Sequence, residues 1–193
     1  ITDNLWLKSL ESQIAETGVA IAAARLDFTQ RLQAACAAAP DGEFPRAKIA
    51  VTGYLEENMA GKPALEIEEA FARELAASRQ RDAITGGAAS GVHKSDLEVV
   101  YASKNMPASQ CSTGEQKALL IGLVLAHARL ITAERGAPPL LLLDEVAAHL
   151  DRDRRAALLE ALAPFSSLAS LVFLLHRRLQ STLVGFPSLS ELR

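Results

Sequence analysis

Apolar positions in the first eighty residues follow a helical rhythm. Between 3 and 39, Trp6, Leu10, Ile14, Thr17, Ile21, Phe28, Leu32 and Ala35 recur at steps of three, four or seven. That spacing predicts one long helix with a single stripe, N-capped by Asp3 or Asn4 and roughly 50 Å long at 1.5 Å per residue. Gly18 interrupts it and marks a bend. A helix this long with one stripe needs a partner, as in a coiled coil or a packed arm. Pro40-Asp41-Gly42 is a turn signal, and 47–54 reads as a short strand. After a Gly61-Lys62-Pro63 break, 64–81 reads as a second amphipathic helix, with Leu65, Ala72 and Leu75 apolar, returning antiparallel to the first.

The rhythm changes after the flexible link Thr85-Gly86-Gly87-Ala88-Ala89-Ser90-Gly91. A short strand at 97–101 leads through a polar turn to Ser112, a candidate cap for a helix over 115–134. With Leu119, Leu120, Ile121, Leu123, Val124 and Leu125, that helix is apolar almost all round and is expected to be buried. Gly136-Ala137-Pro138-Pro139 ends it. Residues 140–143, four leucines, read as a buried parallel strand, followed by a helix over 152–162 and an apolar strand over 170–175. Strand, helix, strand in this order predicts a right-handed crossover. The division expected from these patterns is an elongated helical arm over 1–84 and an α/β part over 85–193.

Composition narrows the class. Of the 193 residues, 49% are apolar and only 5% aromatic, a balance that favours helices over a sandwich or barrel. Twenty Lys and Arg against 23 Asp and Glu give a net charge of −3, which excludes a globally basic nucleic-acid binder but not a local basic face. Cys36 and Cys111 are too few and too far apart for a disulfide scaffold or zinc cluster, and read as reduced cytosolic thiols. The longest apolar run, 118–126, is about half the length a bilayer requires, and no secretory leader opens the chain. Residue 1 is Ile rather than Met, which suggests a piece of a longer protein.

The chemistry concentrates in the second part. Leu140-Leu141-Leu142-Leu143-Asp144-Glu145 places adjacent carboxylates at the end of a buried strand, unfavourable there unless a cation or substrate faces them. Open α/β sheets bind ligands at that end of their strands. An Asp there suits Mg²⁺ beside a nucleotide's phosphates, and the following Glu suits deprotonation of an attacking water. Two solvated acids at a strand end would have the same sequence. About thirty residues earlier, Ser112-Thr113-Gly114-Glu115 opens a helix with a hydroxyl and free amides at its positive end, suited to a terminal phosphate. The same residues make a capping box, and the two readings are compatible.

Ser112-Thr113-Gly114-Glu115-Gln116-Lys117 resembles the signature motif of ABC-type ATPases, 140–145 their Walker B strand, and Leu150-Asp151 their D-loop. Within that superfamily, the run LLLDEVAAHLDRDRRAAL over 141–158 is similar to the RecF family, bacterial recombination mediators related to SMC-type ATPases. Ser90-Gly91-Val92-His93-Lys94-Ser95-Asp96-Leu97 resembles that family's Gly-Pro-His-Arg-Asp-Asp-Leu segment, with Val for Pro and Lys for Arg.

The resemblance implies an α/β fold, the C-terminal half of an ABC-type P-loop ATPase head with a helical arm (lobe II). It implies ATP and Mg²⁺ as cofactors, with Asp144 holding the metal and Glu145 as general base. Ser112 and Gly114 would contact the γ-phosphate of an ATP bound to the opposite subunit, with Asp151 at the dimer interface. His176 stands where ABC ATPases carry a switch His, although RecF proteins generally lack one. The partners implied are gapped duplex DNA or single-stranded junctions, a second copy joined through ATP, and other recombination mediators, with no membrane and a cytoplasmic location. His127 and His149 read as helix-surface and loop residues, and Arg152, Arg154 and Arg155 as a solvated helix face. His93 and Lys94 read as an exposed turn near the active face.

Two features depart from the family. No GxxxxGK[ST] loop occurs anywhere, so the element that cradles the β/γ-phosphates is missing. The tail after Leu175 does not follow the family's ending. An ATP-dependent DNA-binding repair protein, represented by its C-terminal half, is therefore the leading reading. A non-catalytic dimerisation fragment is the alternative, and a transporter's nucleotide-binding domain is disfavoured by the eighty-residue arm.

Overall fold

The structure is a computed structural model and describes residues 4–144, 146, 150–165 and 171–174. In chain order the main elements are α1 (Asn4–Ala37), β1 (Ala47–Thr52), α2 (Tyr54–Asn58), α3 (Ala64–Thr85), β2 (Asp96–Tyr101), β3 (Met106–Pro107), α4 (Thr113–Arg135), β4 (Leu141–Asp144), α5 (Arg152–Leu162) and β5 (Leu171–Leu174). One sheet has the order β1-β2-β3 and a second pairs β4 with β5. Two compact units divide the chain, one taking residues up to Gln33 with Lys48–Val100, the other Ala34–Ala47 with the described residues from Tyr101 on. This differs from the expected arm over 1–84. The strand pairing of β1 with β2 brings the link after Thr85, and most of β2, into the unit that holds α1.

In the first unit, α3 runs antiparallel to α1, as expected. Phe71 packs at Gly18, while Arg79 forks onto Glu11, Nε to Oε1 at 2.5 Å and Nη2 to Oε2 at 2.6 Å. Ala15, Val19, Ala22, Leu55, Ile67 and Phe71 form the core. Of the expected stripe of α1, Leu32 is buried, but over most of the helix a neighbouring stripe is buried instead. Ala15, Val19, Ala22, Leu32 and Cys36 are buried, whereas Trp6, Ile14, Ile21 and Phe28 are exposed. Gly18 is explained by close packing: a Cβ there would meet Phe71 Cε1 at 3.1 Å and Leu55 Cδ1 at 3.5 Å. Small residues on that face admit the large aromatic ring, and apolar spacing alone did not distinguish it from its neighbour. Asn4 is the first residue of α1 rather than its cap, and Asp3 lies outside the described residues.

In the second unit, β4 and β5 are parallel, with Leu141 opposite Leu171 and Asp144 opposite Leu174. With α5 between them in sequence, they form the expected strand-helix-strand unit. Ile121, Leu125 and Ala128 of α4 share a core with Leu141, Leu150, Leu158, Leu162 and Phe165. By length and apolar content alone α4 could cross a bilayer. Here it buries one face, and the expectation of burial all round does not hold: Leu120 is 61% exposed. Gly122 lets the 44–45 segment approach, since a Cβ there would come within 2.9 Å of the Pro45 carbonyl oxygen. Cys36 and Cys111 are free and buried, and burial raises the Cys36 thiol above its ordinary value.

Candidate phosphate-binding turn

The N-terminus of α4 is organised by its first four residues. Ser112 is extended at the N-cap, and both halves of a capping box are present. The Glu115 amide donates to Ser112 Oγ at 3.4 Å, while the Ser112 amide donates to Glu115 Oε2 at 2.8 Å. Ser112 Oγ donates to the same carboxylate oxygen at 2.8 Å. The amides of Thr113 and Gly114 belong to the first turn, which leaves them no intrahelical acceptor. Gln116 Nε2 donates to the Ala108 carbonyl at 2.8 Å and ties the preceding turn to the helix.

A cation completes the group. Lys104, in the connection between β2 and β3, donates from Nζ to Glu115 Oε1 and lies 5.3 Å from the ring centroid of Tyr101. The Lys104 hydrogen bond, followed by those from the Ser112 amide and hydroxyl, holds the Glu115 carboxyl down to about 2. Lys104 is raised by the same contact.

The N-terminus of α5 adjoins this turn. Asp151 is its N-cap, accepting from the Arg154 amide at 2.8 Å. The Arg154 guanidinium reaches over Gly114, with Nη1 3.9 Å from where a Cβ would stand on that glycine. Arg155 Nε donates to the Leu150 carbonyl at 3.1 Å. Reading 152–155 as merely a solvated helix face is thus corrected for Arg154 and Arg155, whose guanidinium groups have specific neighbours.

The structure brings Ser112, Gly114 and, through Arg154, Asp151 into one neighbourhood. Asp144 is the last residue of β4. Glu145, His149 and His176 lie outside the described residues. Lys104 was missed because a lone Lys in a polar turn carries no motif; its only sequence signal is its place a few residues before the helix cap. In the other unit, the 90–97 motif forms a short 3-10 turn at Val92–Lys94. The Val92 carbonyl accepts from Arg25 Nη1 at 2.5 Å and Ser95 Oγ donates to Glu56 Oε2 at 2.9 Å, while His93 and Lys94 are exposed. A cleft of about 420 Å³ in the second unit lies apart from the turn, lined by Arg46, Arg129 and Glu160 among others.

No protein-family model matches the chain. Two solved structures of the recombination mediator protein RecF of the RecFOR pathway share its fold. The one with ATP matches with a TM-score of 0.68 at 20% identity, over 85% of this chain and 44% of that one. The one with ATPγS matches with a TM-score of 0.64 at 20% identity, over 81% and 42%. The fold is accordingly one that the chain shares with an α/β segment of RecF.

The sequence relatives make the class specific. The chain is 52% identical over 161 residues to the DNA replication and repair protein RecF of Mesorhizobium japonicum, and 50% identical over 157 residues to that of Brucella abortus. RecF of Rhizobium meliloti matches at 47% over 159 residues. These alignments cover 81–83% of this chain but only 41–42% of each relative. The chain belongs to the RecF family and spans about two fifths of the length of the curated relatives it matches.

Proposed function

We propose that this segment supplies one half of a composite ATP site shared between two copies of a RecF-type DNA repair protein. The observation that carries the reading is the convergence of the Ser112-Gly114 turn with the Asp151-capped start of α5, where Arg154 overhangs Gly114. Two helix N-termini and a guanidinium at one surface make an anion site. In the working dimer, the γ-phosphate of ATP held by one subunit meets Ser112 and Gly114 of the other, and Asp151 lies at the interface. Asp144 ends a strand of a parallel pair, the position and donor type that suit Mg²⁺. Bound there, the ion would neutralise charge on the β/γ-phosphates. Glu145 takes the general-base role on its sequence position, and His176 the switch position.

ATP-driven closure would then form the surface that binds DNA at gaps or single-stranded junctions, with hydrolysis releasing it in concert with other recombination mediators in the cytoplasm. Such binding is chiefly phosphate-directed. The test is Ser112→Arg in a full-length protein carrying this segment. ATP binding by each subunit should persist while ATP-driven dimerisation, followed by light scattering, is lost. Equal dimerisation of variant and parent would remove the trans role.

A second reading has support in the missing phosphate loop: the 193-residue chain by itself is a non-catalytic dimerisation fragment. Hydrolysis of ATP by this chain alone, abolished by Glu145→Gln, would exclude it.

A further inference from the structure

Glu115 poses a problem for the proposed site. Its carboxylate stands at the third position of the helix whose first turn would meet the terminal phosphate of ATP, and two anions there repel. It also accepts from both the amide and the hydroxyl of Ser112 through a single oxygen, Oε2. Left alone, it would oppose the incoming phosphate and keep the Ser112 hydroxyl committed to itself.

The other oxygen, Oε1, is taken by Lys104. The ammonium is placed rather than free. It lies above the Tyr101 ring, 5.3 Å from its centroid, in a connection where Asn105 takes the left-handed conformation at φ 48°. The segment from Ala102 to Ala108 that carries it is tied at both ends. The Ala102 amide donates to the Arg46 carbonyl at 3.0 Å, and Gln116 Nε2 donates to the Ala108 carbonyl at 2.8 Å. One cation is thus held on the side of Glu115 away from Ser112, where it cancels the carboxylate charge and retains the carboxylate when Ser112 lets go.

We propose that Lys104 is a positioning residue for the phosphate-binding turn: it neutralises and anchors Glu115 so that the Ser112 hydroxyl can exchange that carboxylate for the γ-phosphate of the opposing subunit's ATP. The inference rests on the reading of Ser112 as a phosphate ligand in trans. Lys104 acts through Glu115 and does not itself touch the nucleotide.

The experiment uses a full-length protein carrying this segment and measures the ATP concentration that gives half-maximal dimerisation, with ATP affinity of the separate subunits and melting temperature alongside. Lys104→Met and Lys104→Gln should each raise the half-maximal concentration about tenfold, the scale of one charge-assisted contact, with subunit ATP affinity unchanged and the melting temperature only slightly lowered, the pair being near the surface. Lys104→Arg should restore the parent value to within about threefold, since it keeps the charge with a different donor geometry. Glu115→Gln preserves the capping box without the charge, and in that background Lys104→Met should shift the midpoint less than about twofold, because the pair is coupled. Parent-like dimerisation of both neutral Lys104 variants overturns the proposal. So does an undiminished Lys104→Met loss in the Glu115→Gln background, which would mean that Lys104 meets the phosphate directly. Ser112→Arg separates the two levels. If it dimerises normally, the composite site itself fails, and if it alone is defective, only the role of Lys104 fails.

Discussion

The Nη1 atom of Arg154 lies 3.9 Å from the point a Cβ would occupy on Gly114. That distance is ordinary van der Waals contact, so the space above Gly114 admits a methyl group without displacing Arg154. The glycine is therefore not required by packing. What a methyl would obstruct is the approach of an outside atom to the first-turn amides of α4. Gly114→Ala should leave the melting temperature unchanged or slightly raised, as expected for Ala in place of Gly in a helix. It should weaken ATP-driven dimerisation of a full-length protein about tenfold or more, because phosphate recognition by backbone amides needs close approach. Unchanged dimerisation by light scattering would place the phosphate elsewhere.

How much of this was legible in the sequence depends on the kind of signal. The Ser112 cap was readable because a capping box needs only two residues at fixed spacing, and its geometry is local. The strand pair β4 and β5 was readable because short leucine-rich runs flanking a helix leave few alternatives. The buried face of α1 was not. Ile14, Ile21 and Phe28 keep a seven-residue spacing as regular as any core stripe, yet Ala15, Gly18, Val19 and Ala22 make the contact surface because small side chains admit Phe71. Which of two adjacent stripes is buried is decided by the shape of the partner helix. Lys104 and Arg154 were unreadable for a similar reason: each acquires its role from a neighbour brought in by the fold, Glu115 for one and Gly114 for the other.

Gly18 and Phe71 give a direct test of the α1–α3 packing. A Cβ on Gly18 would stand 3.1 Å from Phe71 Cε1, tighter than ordinary contact, and Phe71 is fully enclosed. Overpacking should therefore outweigh the gain of about 1 kcal/mol in helix propensity. Gly18→Ala should lose about 1–2 kcal/mol in urea unfolding. In a Phe71→Leu background, where the ring is gone, the same substitution should be neutral or stabilising, and the two changes should be non-additive. Additive losses would indicate that the two residues do not meet.

Glu56 anchors the 90–97 motif at some risk to the fold. Its side chain is 1% exposed, Oε2 accepts from Ser95, and Oε1 has no hydrogen-bond donor among the described residues, the Arg25 Nη1 atom standing 3.9 Å away. Arg25 itself donates to the Val92 carbonyl. Removing the cation leaves a buried carboxylate poorly compensated, a change that costs about 3–5 kcal/mol for fully enclosed pairs. Arg25 keeps 42% of its side chain exposed, so Arg25→Met should cost about 2 kcal/mol. Combining it with Glu56→Leu should recover part of that loss, because the uncompensated charge is then absent. Protease sensitivity at 88–95 should rise in Arg25→Met, reporting release of the turn that carries His93 and Lys94. A turn as protected as in the parent would deny Arg25 this role.

The tie between Lys104, Glu115 and Ser112 makes a definite statement about pH. The Glu115 carboxyl ordinarily titrates near 4.5, and in the fold it is held down to about 2, first by Lys104 and then by the two Ser112 donors. A group whose value is lower folded than unfolded binds fewer protons in the folded state. Its contribution to stability is thus fully present above about 4.5 and is lost as the pH falls from there through about 2. The contact is near the surface, so salt screens it. Following the Glu115 side-chain carboxyl carbon by NMR should give a midpoint well below the ordinary 4.5. Lys104→Met should move the midpoint up toward the ordinary value, and Ser112→Ala should move it in the same direction by less, in the order of their contributions. An unshifted Glu115 midpoint in the parent protein would mean that the carboxylate is not held by either partner, and that the cap rests on backbone geometry alone.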